Sequence, residues 1–480
     1  MKNEESLHRV DIKGGVLSPI ELQRIIEYAQ SLGLKTFHFG SRQDIIFPVK
    51  DEEGDFIDRH AAFDPSFFSS IEQQNISSSY VSIDIFASTV WLRGTTYLYI
   101  LEDFRYNPKL KINITDPKQQ IAPLFSGDLN FIASSHEDYW YLYLKLPNWE
   151  ETYYPALIYT WDIAKVAKTI EEIYSKVADI EELFGYLNEN LDTNNRIIEK
   201  PLRVDFTPFP YYEGMNKMGI NQYWLGLYWR NNKYDLTFLK ALCEFCIDNK
   251  IGKICLTPWK SFIIKGIPKE GKLALEKLLG QFGINVRHSS LELNWHLPVG
   301  NQKALYLKKF LVMNFDQNDI STYGLTFAVT SRKNQKRYFT SIVIEENLTA
   351  DAVKGFEVRP TYNVLYAKQF DPNTRNYLVY AQDVDQMDLP GLLLELTKTY
   401  FINLGSEQED FEGKKIGKKE IQEIEVYQCS DCQTIYDPSV GDVVNGIPKG
   451  VDFNDLPDEY ECPLCAGSKK NFIEIKIEMA

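Results

Sequence analysis

The chain has 480 residues, more than one ordinary core accommodates and, at roughly 150 residues per domain, enough for about three. With 44% hydrophobic and 25% charged residues it has ample apolar surface to offset chain entropy, which excludes disorder over most of its length, as well as collagen, coiled-coil and low-complexity classes. A formal charge of -15 sets the whole molecule against nucleic acid and anionic membrane surfaces.

The first residues, MKNEESLHRVDIKGG, hold no apolar core segment and no small-residue cleavage site. No apolar run reaches the roughly 18–20 residues that span a bilayer, and seven cysteines, an odd count, fit a reducing compartment. A cytoplasmic location is expected. The segment LSPIELQRIIEYAQSLGL reads as an amphipathic helix: Ser18 as N-cap, Pro19 first in the helix, Glu21 completing a capping box, and Gly33 past its end. Its apolar stripe is Leu22, Ile25, Ile26, Ala29 and Leu32. A strand–turn–strand, KTFHFGSRQDIIFPV, follows. The later stretch YDLTFLKALCEFCIDNKIGKICLTPWKSFIIKGI repeats this order, with Asp235 capping a helix and a TPWK turn between two strands. The two units stand roughly 215 residues apart, too far for a solenoid period, which points to duplication about a pseudo-twofold axis.

At these residues the sequence resembles the nitrite/sulfite reductase family, in order over roughly residues 8–400. The resemblance implies two ferredoxin-like half-domains, each followed by a larger α/β half, around sirohaem coupled to an iron–sulfur cluster. It also implies basic residues that hold an anionic substrate and the sirohaem carboxylates. Arg42, in the GSRQ turn, matches one of them, and Lys109 and Lys111 match a K-x-K pair. Three cations aimed at one pocket suit an oxyanion or a polycarboxylate ring. The plainer reading of Lys109 and Lys111 is a solvated face of a strand.

The second half departs from the family. Its best-aligned turn, TSRKNQK at 330–336, keeps Thr330 and Asn334 but has Arg332 and Lys336 where the family has cysteines, and 290–310 contain no cysteine. Without those thiolates no iron–sulfur cluster and no ordinary axial sulfur ligand are expected. Cys243 and Cys246 fall on the apolar face of the second helix and Cys255 in a strand, so all three read as core residues. A polar, mixed-charge stretch at 404–424 reads as a flexible tether.

The last segment carries Cys429, Cys432, Cys462 and Cys465 in the pattern C-x2-C-x29-C-x2-C. Two such knuckles build a tetrahedral four-sulfur site for iron or zinc, and spacing alone does not choose between them. Tyr427, Tyr436, Phe453, Tyr460 and Phe472 supply a small aromatic core, and Asp437-Pro438 and Asn445-Gly446 are turn signals. Here the sequence resembles the rubredoxin family: the Y-x-C-x-x-C start, IYDP, Pro448, Gly450 and Phe453, the LP before the second knuckle, and CPLC. The resemblance implies one iron on four thiolates that moves single electrons between ferrous and ferric states. The family has Gly after each knuckle, where this chain has Gln433 and Ala466. Residues 425–480 hold 11 Asp and Glu against 4 Lys, an acidic surface that is either simply solvated or a docking face for a basic partner.

The expected fold is therefore α+β: duplicated ferredoxin-like, sulfite-reductase-like α/β halves with pseudo-twofold symmetry, plus a small C-terminal rubredoxin-like iron module. The expected boundaries are 1–70 and 71–200 for the first ferredoxin-like and α/β halves, 201–290 and 291–403 for the second pair, a linker at 404–424, and the module at 425–480. The leading functional expectation is an electron carrier rather than a self-sufficient reductase. It would serve a redox protein partner, a nitrite or sulfite reductase being one candidate. A second reading lets the body bind sirohaem or another anionic cofactor through Arg42, Lys109 and Lys111, with the module as electron entry. A third makes the module a structural zinc ribbon.

Overall fold

Ser18 begins the first helix as its sequence dictates. Its hydroxyl accepts from the Glu21 amide, and the Glu21 carboxylate accepts from the Ser18 amide, so two orphan donors are satisfied at once. In the computed structural model this helix, α1, spans Pro19–Ser31, and the residues described are 6–49, 68–70, 72–331, 337–347, 352–353, 356–357, 360–406, 422–438, 440–442 and 444–479. Strands β1 (Ser6–Val10), β2 (Val16–Leu17), β3 (Thr36–Phe39) and β4 (Ile45–Val49) surround α1. The first α/β half follows with β5 (Ser77–Ser78), α2 (Gly94–Asp103), β6 (Ile112–Thr115), β7 (Leu129–Ala133), β8 (Tyr139–Leu144), β9 (Thr152–Tyr153), β10 (Ala156–Tyr159), α3 (Ile163–Ile173), α4 (Ile180–Asn190) and β11 (Arg196–Ile197). Its sheet runs β11-β10-β8-β7-β6-β5, with β5, β6 and β7 parallel.

The repeat then recurs as β12 (Gly214–Lys217), β13 (Gln222–Tyr228), β14 (Tyr234–Asp235), α5 (Leu236–Asp248), β15 (Ile254–Leu256), β16 (Ser261–Pro268) and α6 (Lys272–Gln281). Asp235 caps α5 by accepting from the Phe238 amide, as expected. The residue that ends α5 in the left-handed conformation is Lys250. The two repeats exchange strands. β14 pairs with β3 at Tyr234↔Phe37, and β2 pairs with β15 at Leu17↔Ile254. Helices α1 and α5 pack on each other, and one core holds Leu22, Ile26, Phe37 and Phe39 together with Leu239, Leu242, Phe262 and Ile264. At about 1.5–3 kcal/mol for each large side chain buried, this shared core binds the repeats into one unit.

The second α/β half contains α7 (Ser290–Leu293), β17 (Trp295–His296), α8 (Gln302–Gln317), β18 (Phe327–Thr330), β19 (Ile342–Glu346), a short ribbon of β20 (Ala352–Val353) and β21 (Phe356–Glu357), β22 (Thr361–Ala367), β23 (Tyr377–Asp385) and α9 (Leu389–Ser406). Its sheet is ordered β17-β18-β19-β22-β23, with its first two pairings parallel and the rest antiparallel. Of the stretch read as a linker, 407–421 lies outside the described residues; α9 occupies 404–406 and the next strand begins at Gln422. The C-terminal module is a three-stranded sheet, β25-β24-β26, of β24 (Gln422–Cys429), β25 (Ile435–Tyr436) and β26 (Phe472–Met479). Among the described residues no helix is long and apolar enough to cross a membrane.

Candidate metal centre

The module brings its four cysteines together through two knuckles built alike. Cys429 closes the first: its amide donates to the Thr434 carbonyl at 2.8 Å and its carbonyl accepts from the Gln433 amide at 2.8 Å. Cys462 closes the second: its amide donates to the Gly467 carbonyl at 2.7 Å and its carbonyl accepts from the Ala466 amide at 2.9 Å. The four Sγ atoms lie within 4.8 Å of one another. Across the knuckles, Cys429 Sγ stands 3.6 Å from Cys465 Sγ, and Cys432 Sγ 3.4 Å from Cys462 Sγ. Tetrahedral ligation at a metal–sulfur distance of about 2.3 Å separates sulfurs by about 3.8 Å, so the set fits one metal ion with little movement. Hydrogen bonding from Thr434 pulls the Cys432 thiol down to about 6, while against the pull of the Gly467 backbone its sulfur neighbours push the Cys465 thiol up to about 12.

Cys429 and Cys462 are buried, Cys432 is half-buried and Cys465 is exposed beside Leu464. The site therefore has a closed side and an open edge. The closed side rests on Tyr436, Phe453, Leu456 and Tyr460, with Tyr427 and Phe472 packed against them, which is the aromatic set read from the sequence. Buried Asp442 fixes the long loop between the knuckles by accepting from the Val444 and Asn445 amides, the Asn445 side chain and the Tyr460 hydroxyl.

Gln433 and Ala466 adopt φ of 62° and 59°, the left-handed conformation that Gly takes at little cost. The fold imposes this turn at both knuckles whichever residue stands there. Because a side chain in this region costs about 1–2 kcal/mol, offset in part by the larger unfolded-state entropy of Gly, Gln433→Gly and Ala466→Gly are each expected to stabilise the module by about 0.5–1 kcal/mol. Denaturant melts followed on the module's visible absorbance check this.

The module sits against the second ferredoxin-like repeat. Lys217, on β12 and with its side chain only 11% exposed, donates from Nζ to the Cys462 carbonyl at 3.1 Å and lies 3.8 Å from the Glu461 carboxylate. Lys269 reaches the same carboxylate at 3.7 Å. Part of the module's acidity is thus spent inside the chain, on a basic rim of its own body. No sequence pattern marks Lys217 as a partner of a cysteine 245 residues away. Each ion pair is worth about 0.2–1 kcal/mol, so the single changes should do little. Lys217→Glu with Lys269→Glu is expected to release the module and to speed proteolysis between α9 and β24 several-fold, read by timed digestion and gel.

Two of the three basic candidates of the body, Arg42 and Lys109, are engaged by the protein's own groups. The Arg42 guanidinium is turned inward and donates to Asn113 Oδ1, the Asn75 carbonyl and the Ile112 carbonyl. Burial pushes it down to about 10, against the pull of Asp44 and Asp128, so it stays charged at neutral pH. Lys109 Nζ pairs with Glu72 at 2.8 Å on the surface. The strand expected to carry the K-x-K pair starts only at Ile112; Glu171 accepts the Lys109 and Leu110 amides, and Asp128 accepts the Lys111 amide. Arg332, Asn334 and Lys336 lie outside the described residues. Cys243, Cys246 and Cys255 are buried, and burial pushes all three thiols upward, Cys243 to about 12, as inert core residues.

A profile of the rubredoxin family matches residues 426–472. The module is 40% identical over 52 residues to Rubredoxin-2 of Chlorobaculum tepidum, covering 100% of that protein and 11% of this chain. It is 45% identical over 49 residues to the High molecular weight rubredoxin of Moorella thermoacetica, of which this chain spans only 21%, with 10% of this chain matched. The body resembles the structure of the NirA protein of Mycobacterium tuberculosis with a TM-score of 0.62 and 15% identity, covering 85% of this chain and 82% of that one. At that identity the likeness establishes the fold alone.

Proposed function

Because the chain belongs to the rubredoxin family through its C-terminal module, we propose that it is an electron-transfer protein whose four-cysteine iron site serves a redox protein partner while docked on a nitrite/sulfite reductase-like body. The convergence of four sulfurs with one edge open carries this reading. An iron bound there supplies a one-electron couple. The chain's own residues do the rest. Cys429 and Cys462 anchor the closed side against the aromatic core and exclude water from it. Cys432 and Cys465 present the open edge, with Leu464, 74% exposed, as an apolar contact for a partner. Lys217 and Lys269 hold the module on the body so that this edge keeps one orientation.

The second reading, sirohaem on the body, finds less support in these side chains. Arg42 is committed to three protein acceptors and Lys109 to Glu72. Trp259 fills the space between the halves: its indole donates to the Ile121 carbonyl at 2.8 Å, and its ring meets Phe209 and Phe339 edge-on. The cavity left there is about 30 Å³, room for a water or two. Beside Trp259 the residues leave no room for a tetrapyrrole, and no step is derived through one.

Elemental analysis and a visible spectrum of the full chain test the proposal. One iron per chain with thiolate-to-ferric bands that bleach on reduction is expected. A colourless protein with one zinc would overturn it, and an added Soret band would make the sirohaem reading lead.

A further inference from the structure

The two repeats place a turn at equivalent points, Gly40–Asp44 and Thr257–Ser261. Each is closed by the same bond, from the Gly40 amide to the Asp44 carbonyl and from the Thr257 amide to the Ser261 carbonyl, both 2.9 Å. Each carries its left-handed residue at the same step, Gln43 at φ 60° and Lys260 at φ 57°. The first is fully satisfied: the Gln43 side-chain amide donates to the Ser78 and Leu256 carbonyls and accepts from the Ser78 amide. The second is not. Lys260 is 7% exposed, and its Nζ has no hydrogen-bond or carboxylate partner among the described residues.

Lys260 lines a cavity of about 40 Å³ between the second ferredoxin-like repeat and the second α/β half. The same cavity is lined by Lys308 and Arg230, which share one carboxylate, Glu292, at 3.0 Å each. Three basic side chains thus border the cavity; Glu292 is shared by two of them, and Asp44 acts on Lys260 from outside the lining. The first turn of α8 also borders the cavity through Asn301 and Gln302, adding the positive end of a helix dipole. A buried charge without a partner is costly. Burial, and then the nearby Lys308, pushes the Lys260 ammonium down to about 7.

We propose that this cavity is a binding site for a small oxyanion, either inorganic or the carboxylate of a small organic acid, with Lys260 as the central ligand. The volume admits about three waters or one such ion, and the tryptophans around it, Trp229, Trp259 and Trp295, wall it with apolar surface. The site owes nothing to the iron module, so it stands or falls apart from the electron-transfer reading.

The test titrates the full, metal-loaded chain with sodium sulfate, sodium nitrate or sodium acetate against sodium chloride at constant ionic strength, following tryptophan fluorescence and the thermal midpoint. A saturable change with millimolar or tighter affinity, and a midpoint that rises with the anion, are expected. Sulfate or nitrate binding without acetate identifies an inorganic ion, and acetate binding alone the organic acid. Lys260→Gln, which installs the residue of the equivalent turn, should weaken binding at least tenfold while keeping the fold and visible spectrum. Arg230→Gln, at the rim, should weaken it only several-fold. No saturable change in the unmodified chain, or equal titration of Lys260→Gln, would overturn the proposal.

Discussion

Replacing Cys462 by Ser should strip the metal and unfold residues 422–479 while the body keeps its own unfolding transition. Cys462 is buried, closes the second knuckle through both its amide and its carbonyl, and takes the Lys217 contact from the body. Metal binding to four-ligand sites of this kind supplies about 10–16 kcal/mol to folding, and a core of some 50 residues supplies only about 3–5 kcal/mol by itself. Losing even part of the metal term therefore exceeds what Tyr436, Phe453, Leu456 and Tyr460 contribute. The exposed ligand, Cys465, should behave differently. A Ser there keeps a hard oxygen at the open edge and both closed-side thiolates, so Cys465→Ser should bind metal more weakly but remain folded when metal is in excess. Metal content per chain and hydrogen exchange resolved by segment distinguish the two. Equal retention of metal by Cys462→Ser would mean that the buried thiolate is not a ligand.

What could be read from the sequence follows the range of the forces involved. The capping box at Ser18, the cap at Asp235 and the two C-x-x-C knuckles depend on residues three or four apart, and each forms as read. The likeness of the two repeats was visible in their helix–strand–turn–strand order. Their strand exchange was not, because β2 and β14 are two residues long and carry no alternation to detect. The positions after the knuckles could be flagged, but only the backbone shows that Gln433 and Ala466 both take the left-handed turn. The TPWK turn could be aligned with GSRQ, yet that Lys260 is buried and unmatched while Gln43 is satisfied depends on what packs around each turn. Lys109 and Lys111 show the limit of alternation as a signal. Alternation suggested a strand face, but the strand begins one residue later and the lysines belong to the loop before it.

Arg42→Ala separates the two roles this residue could have. If the guanidinium is a staple of the fold, its loss leaves Asn113 Oδ1 and the carbonyls of Asn75 and Ile112 without their donor. The first-repeat turn is then no longer tied to β6, and the Asn75 side chain, which donates to the Ile12, Arg42 and Gln43 carbonyls, loses its fixed place. A hydrogen bond to a charged group contributes about 1.5–3 kcal/mol, and each buried acceptor left unmet costs about 1–3 kcal/mol. Because the three bonds share one side chain they do not add fully, and a loss of about 3–5 kcal/mol is expected. Arg42→Lys should recover less than half of it, since one ammonium cannot span acceptors placed for a planar fork. The measurement is the urea midpoint of the body at unchanged m-value. A residue held only to await a ligand's carboxylate would behave in the opposite way: its removal would leave the ligand-free protein within about 0.5 kcal/mol of the parent or make it more stable, as expected when a buried cation that lacks a partner is taken away.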